Sequence, residues 1–552
     1  MSEYLAAARA WLAQDPDVTT RDELSALLER VEAGEPDAAA DLADRFSTRL
    51  AFGTAGLRGA LGAGSNRMNR VLVAQAAAGF AAYLRERGGD STPTVVVGYD
   101  GRRNSDVFAR DSVEIFAGAG LRAILLPRML PTPVLAFAVR HLGADAGVMV
   151  TASHNPPDDN GYKVYLGGAD DGAQIVSPAD AEIAAHIQRV ADAGDVTVLP
   201  RSVGFENAPE SLVEAYVAAT AAVAPAPGGA EGLRWVYTAM HGVGWETVSR
   251  VLDEAGYPAP VVVEAQIHPD GRFPTVAFPN PEEPGAMDLA FETARSADAE
   301  LVIANDPDAD RLAVAIPDPE AEGGWRRLSG NEIGLLLGWR AARAASEGSL
   351  ACSLVSSPGL QVVAEHYGLD FHATLTGFKW ISRAPGLVYG FEEALGYLVN
   401  PGTVRDKDGI SAAIAILGMI AEAREQGLTL GDLVVRFQET FGYFDSGQVS
   451  VRVDDLAVIG RAMAALRADP PTAIGDVAVS SFEDLLAATE GQPAGDILRF
   501  WLAEGSRVLV RPSGTEPKLK LYLDVRGASA DEAGGRLAAL RAGVEELLVS
   551  LR

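Results

Sequence analysis

Short, continuous apolar runs alternate with helical stretches along most of this chain, and that rhythm narrows the architecture before any single residue is weighed. Residues 94–99, 121–126 and 147–150 form one series of such runs, and residues 235–238, 261–264 and 301–304 form a second. β-Branched runs without apolar/polar alternation suit parallel strands covered on both faces, and the helical stretches supply the crossovers of an α/β fold. A Pro/Gly-rich stretch at 224–229 separates the two series, and a polar turn at 317–324 lies near the next boundary. A third α/β region runs to about residue 440. After it come strands at 447–453, 508–511 and 519–525 and a C-terminal helix. Ahead of all this, Leu24, Leu27, Leu28 and Val31 form one stripe of a helix over 20–34, with Thr20 and Glu23 as a capping box and Gly34 as its end. The expected units are 1–205 (including the helical N-terminal extension), 206–320, 321–440 and 441–552.

A chain of 552 residues, 48% of them hydrophobic, has material for several cores. No uninterrupted apolar run reaches the roughly 18 residues of a membrane span, and the acidic start Met1-Ser2-Glu3-Tyr4-Leu5 does not read as a secretory leader. Cys352 is the sole cysteine, which excludes an intramolecular disulfide framework and a thiolate metal cluster and points to a reduced cytoplasm. The formal net charge of −29 argues against nucleic acid or anionic membrane as a partner. An anionic substrate would oblige such a protein to gather its cations locally, against its own field.

Two motifs then carry the chemistry. Thr151-Ala152-Ser153-His154-Asn155-Pro156 follows an apolar run directly, which puts Ser153 at a strand's carboxyl end, where open α/β sheets keep their active sites. Its hydroxyl can carry a phosphoryl group once activated and held in line. A Ser153–His154 hydrolase pair is disfavoured, because adjacent side chains on a turn diverge and no Gly-x-Ser-x-Gly elbow is present. The second motif, Asn305-Asp306-Pro307-Asp308-Ala309-Asp310-Arg311, sets three carboxylates at alternate residues, which repel unless a cation sits among them. Hard oxygen ligands suit Mg²⁺ or Ca²⁺. An EF-hand loop is excluded, since Arg311 stands where its glycine belongs and Pro317 where its glutamate belongs. Magnesium completes its shell with water or phosphate oxygen, which a phosphorylated Ser153 would supply. The charge left over calls for further cations, and Arg311, Lys163 and Arg58 are candidates. Lys163 lies in Asn160-Gly161-Tyr162-Lys163, in the same loop region as Ser153, and Arg58 lies in the glycine-rich Phe52-Gly53-Thr54-Ala55-Gly56-Leu57-Arg58-Gly59.

Three further stretches suit an anionic, hydroxylated ligand, although each alone also reads as an ordinary surface turn. Arg511-Pro512-Ser513-Gly514-Thr515-Glu516-Pro517-Lys518 combines a guanidinium, two hydroxyls and glycine-freed backbone N–H groups, a nest for a phosphate dianion. Gly390-Phe391-Glu392-Glu393-Ala394 offers carboxylates for ring hydroxyls. Thr376-Gly377-Phe378-Lys379-Trp380 and Arg405-Asp406-Lys407-Asp408-Gly409 offer cations and acceptors, with Thr376, Gly377, Lys379 and Lys407 as substrate-binding candidates.

In this order, from residue 52 to 518, the motifs resemble those of the α-D-phosphohexomutase superfamily. The opening Phe52–Gly59 stretch resembles the branch holding bacterial phosphoglucomutases and phosphomannomutases of this length, together with the animal phosphopentomutase and glucose-1,6-bisphosphate synthase type. The resemblance implies three related mixed-sheet α/β domains and a smaller α+β C-terminal domain around a central cleft. The first would carry the phosphoserine loop, the second the metal loop, the third the sugar-binding loop and the last the phosphate-binding loop. It implies that Ser153 is phosphorylated, that Ser153, Asp306, Asp308 and Asp310 hold Mg²⁺, and that Arg311 steadies the moving phosphoryl group. Lys163, with Arg58, matches positions linked to proton transfer, Glu392 would bind sugar hydroxyls, and Arg511, Ser513, Gly514 and Thr515 would grip the non-reacting phosphate. The implied reaction moves phosphoryl between the 1- and 6-positions of glucose or mannose phosphate, with a sugar 1,6-bisphosphate as intermediate and activator. A phosphopentomutase or a sugar-bisphosphate synthase would use the same scaffold, and a metal-dependent phosphatase or a sugar-phosphate sensor the same pocket. Two departures leave the sugar open: Ala394 stands where many hexomutases have serine, and Gly396-Tyr397 where some phosphomannomutases have histidine. The expected partners are small sugar phosphates, and the expected state is a monomer or weak homo-oligomer.

Overall fold

The computed structural model describes residues 2–54, 56–453, 456–486, 494–512 and 518–550. Two compact units make up the chain: Met1–Leu328 with Gly396–Glu422, and Ser329–Leu395 with Ala423–Arg552.

The first unit begins with three helices, α1 (Ser2–Gln14), α2 (Val18–Glu32) and α3 (Pro36–Phe46). The apolar stripe expected on α2 is buried at Leu24, Leu27 and Leu28, in one core with Trp11, Leu42, Val71 and Phe80. The expected capping box does not form. Asp17 caps α2 instead, its carboxylate accepting from the Thr19 N–H at 2.9 Å, so the helix starts earlier on a stronger acceptor. Thr20 donates to Asp15 Oδ2 at 2.7 Å, and Glu23 accepts from Arg45 Nη1 at 2.6 Å and from the Ala63 N–H at 3.1 Å.

Behind these helices lies a mixed sheet of β1 (Leu57–Ala60), β2 (Thr94–Tyr99), β3 (Arg122–Leu125), β4 (Ala146–Val150), β5 (Asp159–Leu166), β6 (Ala173–Gln174) and β7 (Glu206–Asn207). Its order is β1-β5-β4-β2-β3-β7, with β6 on β5. Strands β4, β2, β3 and β7 run parallel, whereas β5 and β1 join antiparallel. Consecutive Val95, Val96 and Val97 are all fully buried, as a strand covered on both faces requires. Lys163, expected in a loop region, lies on β5 opposite Met149 of β4. The glycine of the Asn160-Gly161 pair is a packing requirement, since a Cβ on Gly161 would lie 2.6 Å from the Thr151 carbonyl.

The second sheet holds β8 (Trp235–Thr238), β9 (Val261–Val262), β10 (Leu301–Asn305), β11 (Leu312–Pro317) and β12 (Trp325–Arg327) in the order β12-β11-β10-β8-β9. Strands β10, β8 and β9 are parallel, β11 adds antiparallel to β10, and β12 adds antiparallel to β11. The polar stretch at 317–324 is the turn between β11 and β12, where the Asp318 N–H donates to the Gly324 carbonyl at 2.9 Å. The carboxylate-rich loop is the turn between β10 and β11. Residues Gly396–Glu422 contribute the short strand Gly396–Leu398, bridged at Gly396 to Arg311, and most of the helix Gly409–Arg424.

The other unit contains three parallel strands, β13 (Ser349–Ser353) flanked by β14 (Asp370–Thr374) and β15 (Leu387–Glu392). An antiparallel sheet follows, in the spatial order Tyr443–Arg452, Lys518–Gly527, Arg507–Pro512, Leu498–Leu502, Val477–Asp484 and Ala473–Ile474. The helix Ala530–Ser550 packs on it through Ala533, Leu540 and Val544. Leu354 and Val355 beyond β13 share an apolar cluster with Leu509 and Tyr522, which joins the two sheets of this unit. Among the described residues no helix is long and apolar enough to cross a membrane.

Candidate active site

β4 delivers the chain to Thr151, whose hydroxyl accepts the Ser153 N–H at 2.8 Å. Ser153 then adopts φ +51°, a left-handed backbone that costs a residue with a Cβ about 1–2 kcal/mol. The turn aims Oγ at the loop after β10, where it donates to Asp306 Oδ2 at 2.7 Å. It also brings His154 Nδ1 to 3.3 Å from the same Oγ, so the two neighbours do not diverge as expected. The left-handed turn is the reason: it folds both side chains to one side. His154 is not set up as a base, however. Burial, with Arg311 and Arg58 adding to it, holds its pKa well below the ordinary histidine value. Its ring lies edge-on to Phe278 at 6.1 Å.

Asp306, Asp308 and Asp310 are fully buried, and an oxygen from each lies within 4.8 Å of the others. The turn that gathers them is closed by the Ala309 N–H donating to the Asp306 carbonyl at 2.8 Å, with Ala309 itself left-handed. Lys163 Nζ lies 2.7 Å from Asp308 Oδ2 and 2.7 Å from Asp310 Oδ2, and Lys407 Nζ lies 3.2 Å from that second oxygen. Thr132, the first residue of the helix Thr132–His141, donates its hydroxyl to Asp308 Oδ2 and its N–H to the Asp308 carbonyl. The Arg311 N–H donates to Asp306 Oδ1 at 2.9 Å, and its Nε stands 3.9 Å from Asp310 Oδ1. Burial opposes every charge here. It drives Asp306 well above the carboxylate range, with Asp308 and Asp310 adding to it, whereas the Lys163 ammonium overcomes it to hold Asp308 and Asp310 below that range. Lys163 is desolvated too, yet its two aspartates keep it charged. Asp308 Oδ1 and Asp310 Oδ1 are buried without a hydrogen-bond partner, which is costly unless something cationic is to be held there. A hard, all-oxygen donor set with two uncommitted oxygens fits a divalent cation of the magnesium type.

Arg58 reaches this region through a tight turn. Gly53 and Gly56 exchange backbone hydrogen bonds, and Gly56 has φ +75° with Tyr162 so close that a Cβ would lie 1.8 Å from its carbonyl oxygen. The register Arg58 opposite Gly161 follows, and Arg58 Nη1 donates to Asn155 Oδ1 at 3.2 Å. Lys407 belongs to this side as well. Asp406 accepts from the Tyr165 hydroxyl and from Gln174 Nε2, each at 2.7 Å, and Asp408 accepts from the Tyr216 hydroxyl at 3.0 Å. Sequence reasoning grouped Lys407 with the sugar-handling loops; here it shares Asp310 with Lys163. Arg102, Thr132 and Asp406 were not singled out, and only the charge run Arg405–Asp408 hinted at any of them.

In the other unit the parallel arrangement of β13, β14 and β15 sends Ser353, Thr374 and Glu392 to one sheet edge. Glu392 is buried there. Glu393 braces the loop, its Oε2 accepting from Ser353 Oγ at 3.0 Å and Ser356 Oγ at 2.9 Å. Thr376 and Gly377 follow β14, with the Thr376 hydroxyl buried and without a partner, and Lys379 lies on the short helix Phe378–Ile381. Arg511 sits near the end of its strand, opposite Lys520. Ser513, Gly514 and Thr515 lie outside the described residues.

Four family descriptions match the chain in order: phosphoglucomutase/phosphomannomutase alpha/beta/alpha domain I over residues 49–193, domain II over 214–321, domain III over 329–441, and the C-terminal domain over 449–541. This chain is an α-D-phosphohexomutase. As a member of that superfamily it is a phosphomutase, an isomerase that transfers phosphoryl intramolecularly, and magnesium dependence is a property of the family. A probable phosphomannomutase of Haemophilus influenzae is 56% identical to this phosphohexomutase, covering 87% of this chain and 98% of its own. The human phosphopentomutase is 34% identical, covering 93% and 90%. In fold, a phosphoglucomutase/phosphomannomutase family protein of Burkholderia thailandensis matches with a TM-score of 0.70 at 20% identity, over 91% of this chain and 98% of that one.

Proposed function

We propose that this phosphohexomutase interconverts the 1- and 6-phosphates of a hexose, glucose or mannose, with Ser153 as the phosphoryl carrier and a sugar 1,6-bisphosphate as intermediate and activator. The observation that carries the reading is the buried Ser153 Oγ at 2.7 Å from Asp306, beside two aspartates that keep uncommitted oxygens. Asp306, Asp308 and Asp310 would hold the divalent ion together with an oxygen on Ser153, and the ion when bound supplies positive charge to the phosphoryl oxygens.

The chain's own groups divide the remaining work. Ser153 Oγ bonds to phosphorus in the resting enzyme. A sugar hydroxyl loses its proton as it attacks that phosphorus, the Oγ–P bond breaks, and a sugar bisphosphate results while Oγ leaves and takes up a proton. After the intermediate turns over, its other phosphate returns to Oγ. Arg58 and Arg311 add positive charge around Ser153, and Lys163 keeps Asp308 and Asp310 ionised. Lys407 supports the same pair. Glu392 takes sugar hydroxyls with Thr376, Gly377 and Lys379 around it, and Arg511 with Ser513, Gly514 and Thr515 grips the phosphate that is not reacting. Exclusion of water protects the phosphoserine, and the burial of Ser153 serves that end.

A second reading is favoured by the 34% identity to a phosphopentomutase over 93% of the chain: a ribose or deoxyribose 1-phosphate to 5-phosphate interconversion by the same residues. Coupled assays of kcat/KM on glucose 1-phosphate, mannose 1-phosphate and ribose 1-phosphate decide between them. Ser153→Ala should abolish turnover on all three. Near-normal activity in that variant would overturn the phosphoserine reading.

A further inference from the structure

The loop between β2 and the helix Ser105–Gly118 carries Arg102, a side chain with no part in the chemistry above. It is 3% exposed and its guanidinium donates to four backbone carbonyls of one turn. Nη2 reaches the carbonyls of Ser153 at 2.6 Å and Asn155 at 2.5 Å, and Nη1 those of Pro156 at 2.8 Å and Asp159 at 3.2 Å. Asp100 sets the fork from behind: its Oδ1 accepts the Arg102 N–H at 3.0 Å and its Oδ2 lies 3.6 Å from Nε. The guanidinium also lies over the Phe273 ring, 4.9 Å from its centroid.

Only a planar fork of several N–H groups can satisfy so many carbonyls at once; a single ammonium cannot. The pattern of acceptors matters as much as their number. All four lie within the segment 153–159, and the first belongs to Ser153 itself. The Ser153 N–H is already tied to Thr151, so with Arg102 both flanking peptide groups of Ser153 are fixed. A residue in a sparsely populated backbone region stays there only when its surroundings over-determine it. We propose that Arg102 is a positioning residue for phosphoryl transfer: it pins Ser153 in the left-handed turn that aims Oγ at Asp306. This rests on Ser153 being the phosphoryl carrier.

The test uses the full-length enzyme with glucose 1-phosphate, a glucose 1,6-bisphosphate primer and Mg²⁺. Arg102→Met should lower kcat about 100-fold, the scale of a roughly 1 Å misplacement of a reacting group. KM should stay within about threefold, because the buried Arg102 guanidinium is committed to backbone carbonyls. Arg102→Lys should recover little. A readout independent of turnover is the intact mass after incubation with the bisphosphate: wild type gains one phosphate on Ser153, and Arg102→Met loads it more slowly. Phe273→Leu leaves the guanidinium in place but removes the ring beneath it, and should lower kcat several-fold at unchanged KM. Should the Arg102 variants fail to fold, Phe273→Leu decides alone. Wild-type kcat in either Arg102→Met or Phe273→Leu, or a variant that loses only thermal stability, overturns the proposal. Failure of the underlying reading looks different: wild type would then carry no phosphate on Ser153, and Ser153→Ala would turn over normally.

Discussion

Lys163 gives one charge to two buried carboxylates, Asp308 and Asp310, the second of which it shares with Lys407. Removing it strands Asp308 and Asp310 in a dry pocket with less cation to face. Loss of one partner of a buried ion pair costs about 3–5 kcal/mol, so Lys163→Met should destabilise the protein by that order in metal-free urea unfolding. Added Mg²⁺ should shrink the difference, since an ion held by the native state alone stabilises it. A destabilisation indifferent to Mg²⁺ would contradict the shared-charge account. Cys352 shows the opposite limit, a titratable group buried in strand β13. Burial pushes its thiol up to about 12, above the roughly 8.5 of an exposed cysteine. Between those values the unfolded chain releases the proton and the folded chain keeps it, so the thiol's contribution to stability is present at low pH and lost as pH rises through that window. A thiol reagent at pH 8 should leave the native protein unlabelled and label one cysteine after denaturation. At this scale the sequence shows side chains that act on side chains. Ser153 and Asp306 stand in compact motifs, and the structure brings them to hydrogen-bond distance. Arg102 left no mark because its partners are backbone carbonyls, which every residue has. His154 was misjudged for a related reason: divergence of neighbours assumes an ordinary backbone, and Ser153 does not have one.

Among elements, the strands built from continuous apolar runs were legible, and those that complete the sheet were not. β2, β4 and β10 declare themselves by buried β-branched residues. β5 and β1 are interrupted by Asn160, which makes polar pairs, by Gly161, which the Thr151 carbonyl approaches, and by Gly59, which the Leu50 side chain crowds, so their pattern reads as loop. Yet these two antiparallel additions carry Lys163 and Arg58. Gly56→Ala tests how far the placement of β1 depends on its glycine turn. The new Cβ would collide with the Tyr162 carbonyl, and φ +75° is strained for alanine. Destabilisation of more than about 1 kcal/mol is expected, with mutase activity falling because Arg58 shifts against Asn155. Unchanged stability and activity would mean that β1 re-pairs without cost. The α2 cap makes the same point about helices: the stripe located the helix, while Asp17 set its start by accepting the Thr19 N–H and the Thr20 hydroxyl went to Asp15 instead.

For the whole molecule, the order of motifs along the chain foretold the order of domains, but not how the stretch Gly396–Glu422 is used. It returns to the first unit, where Asp406 and Asp408 meet Tyr165, Gln174 and Tyr216 and where the helix starting at Gly409 buries Ile410, Ile414 and Leu417. Its polar loop gives no sequence sign of that destination. A fragment ending at residue 328 therefore lacks part of its own core and should lose cooperative thermal unfolding relative to the intact chain. A fragment 1–328 that melts as sharply and as high as the whole protein would show those contacts to be dispensable.

Because the first unit is closed by a late stretch, its maturation on the ribosome is necessarily deferred. After residue 328 has been synthesised, residues 329–422 must follow before Lys407 and the helix that starts at Gly409 can take their places, a wait on the order of 5–20 s. Throughout that interval the nascent protein exposes an apolar seat with no occupant, and it is then, rather than in the finished enzyme, that chaperone capture and aggregation have their opening.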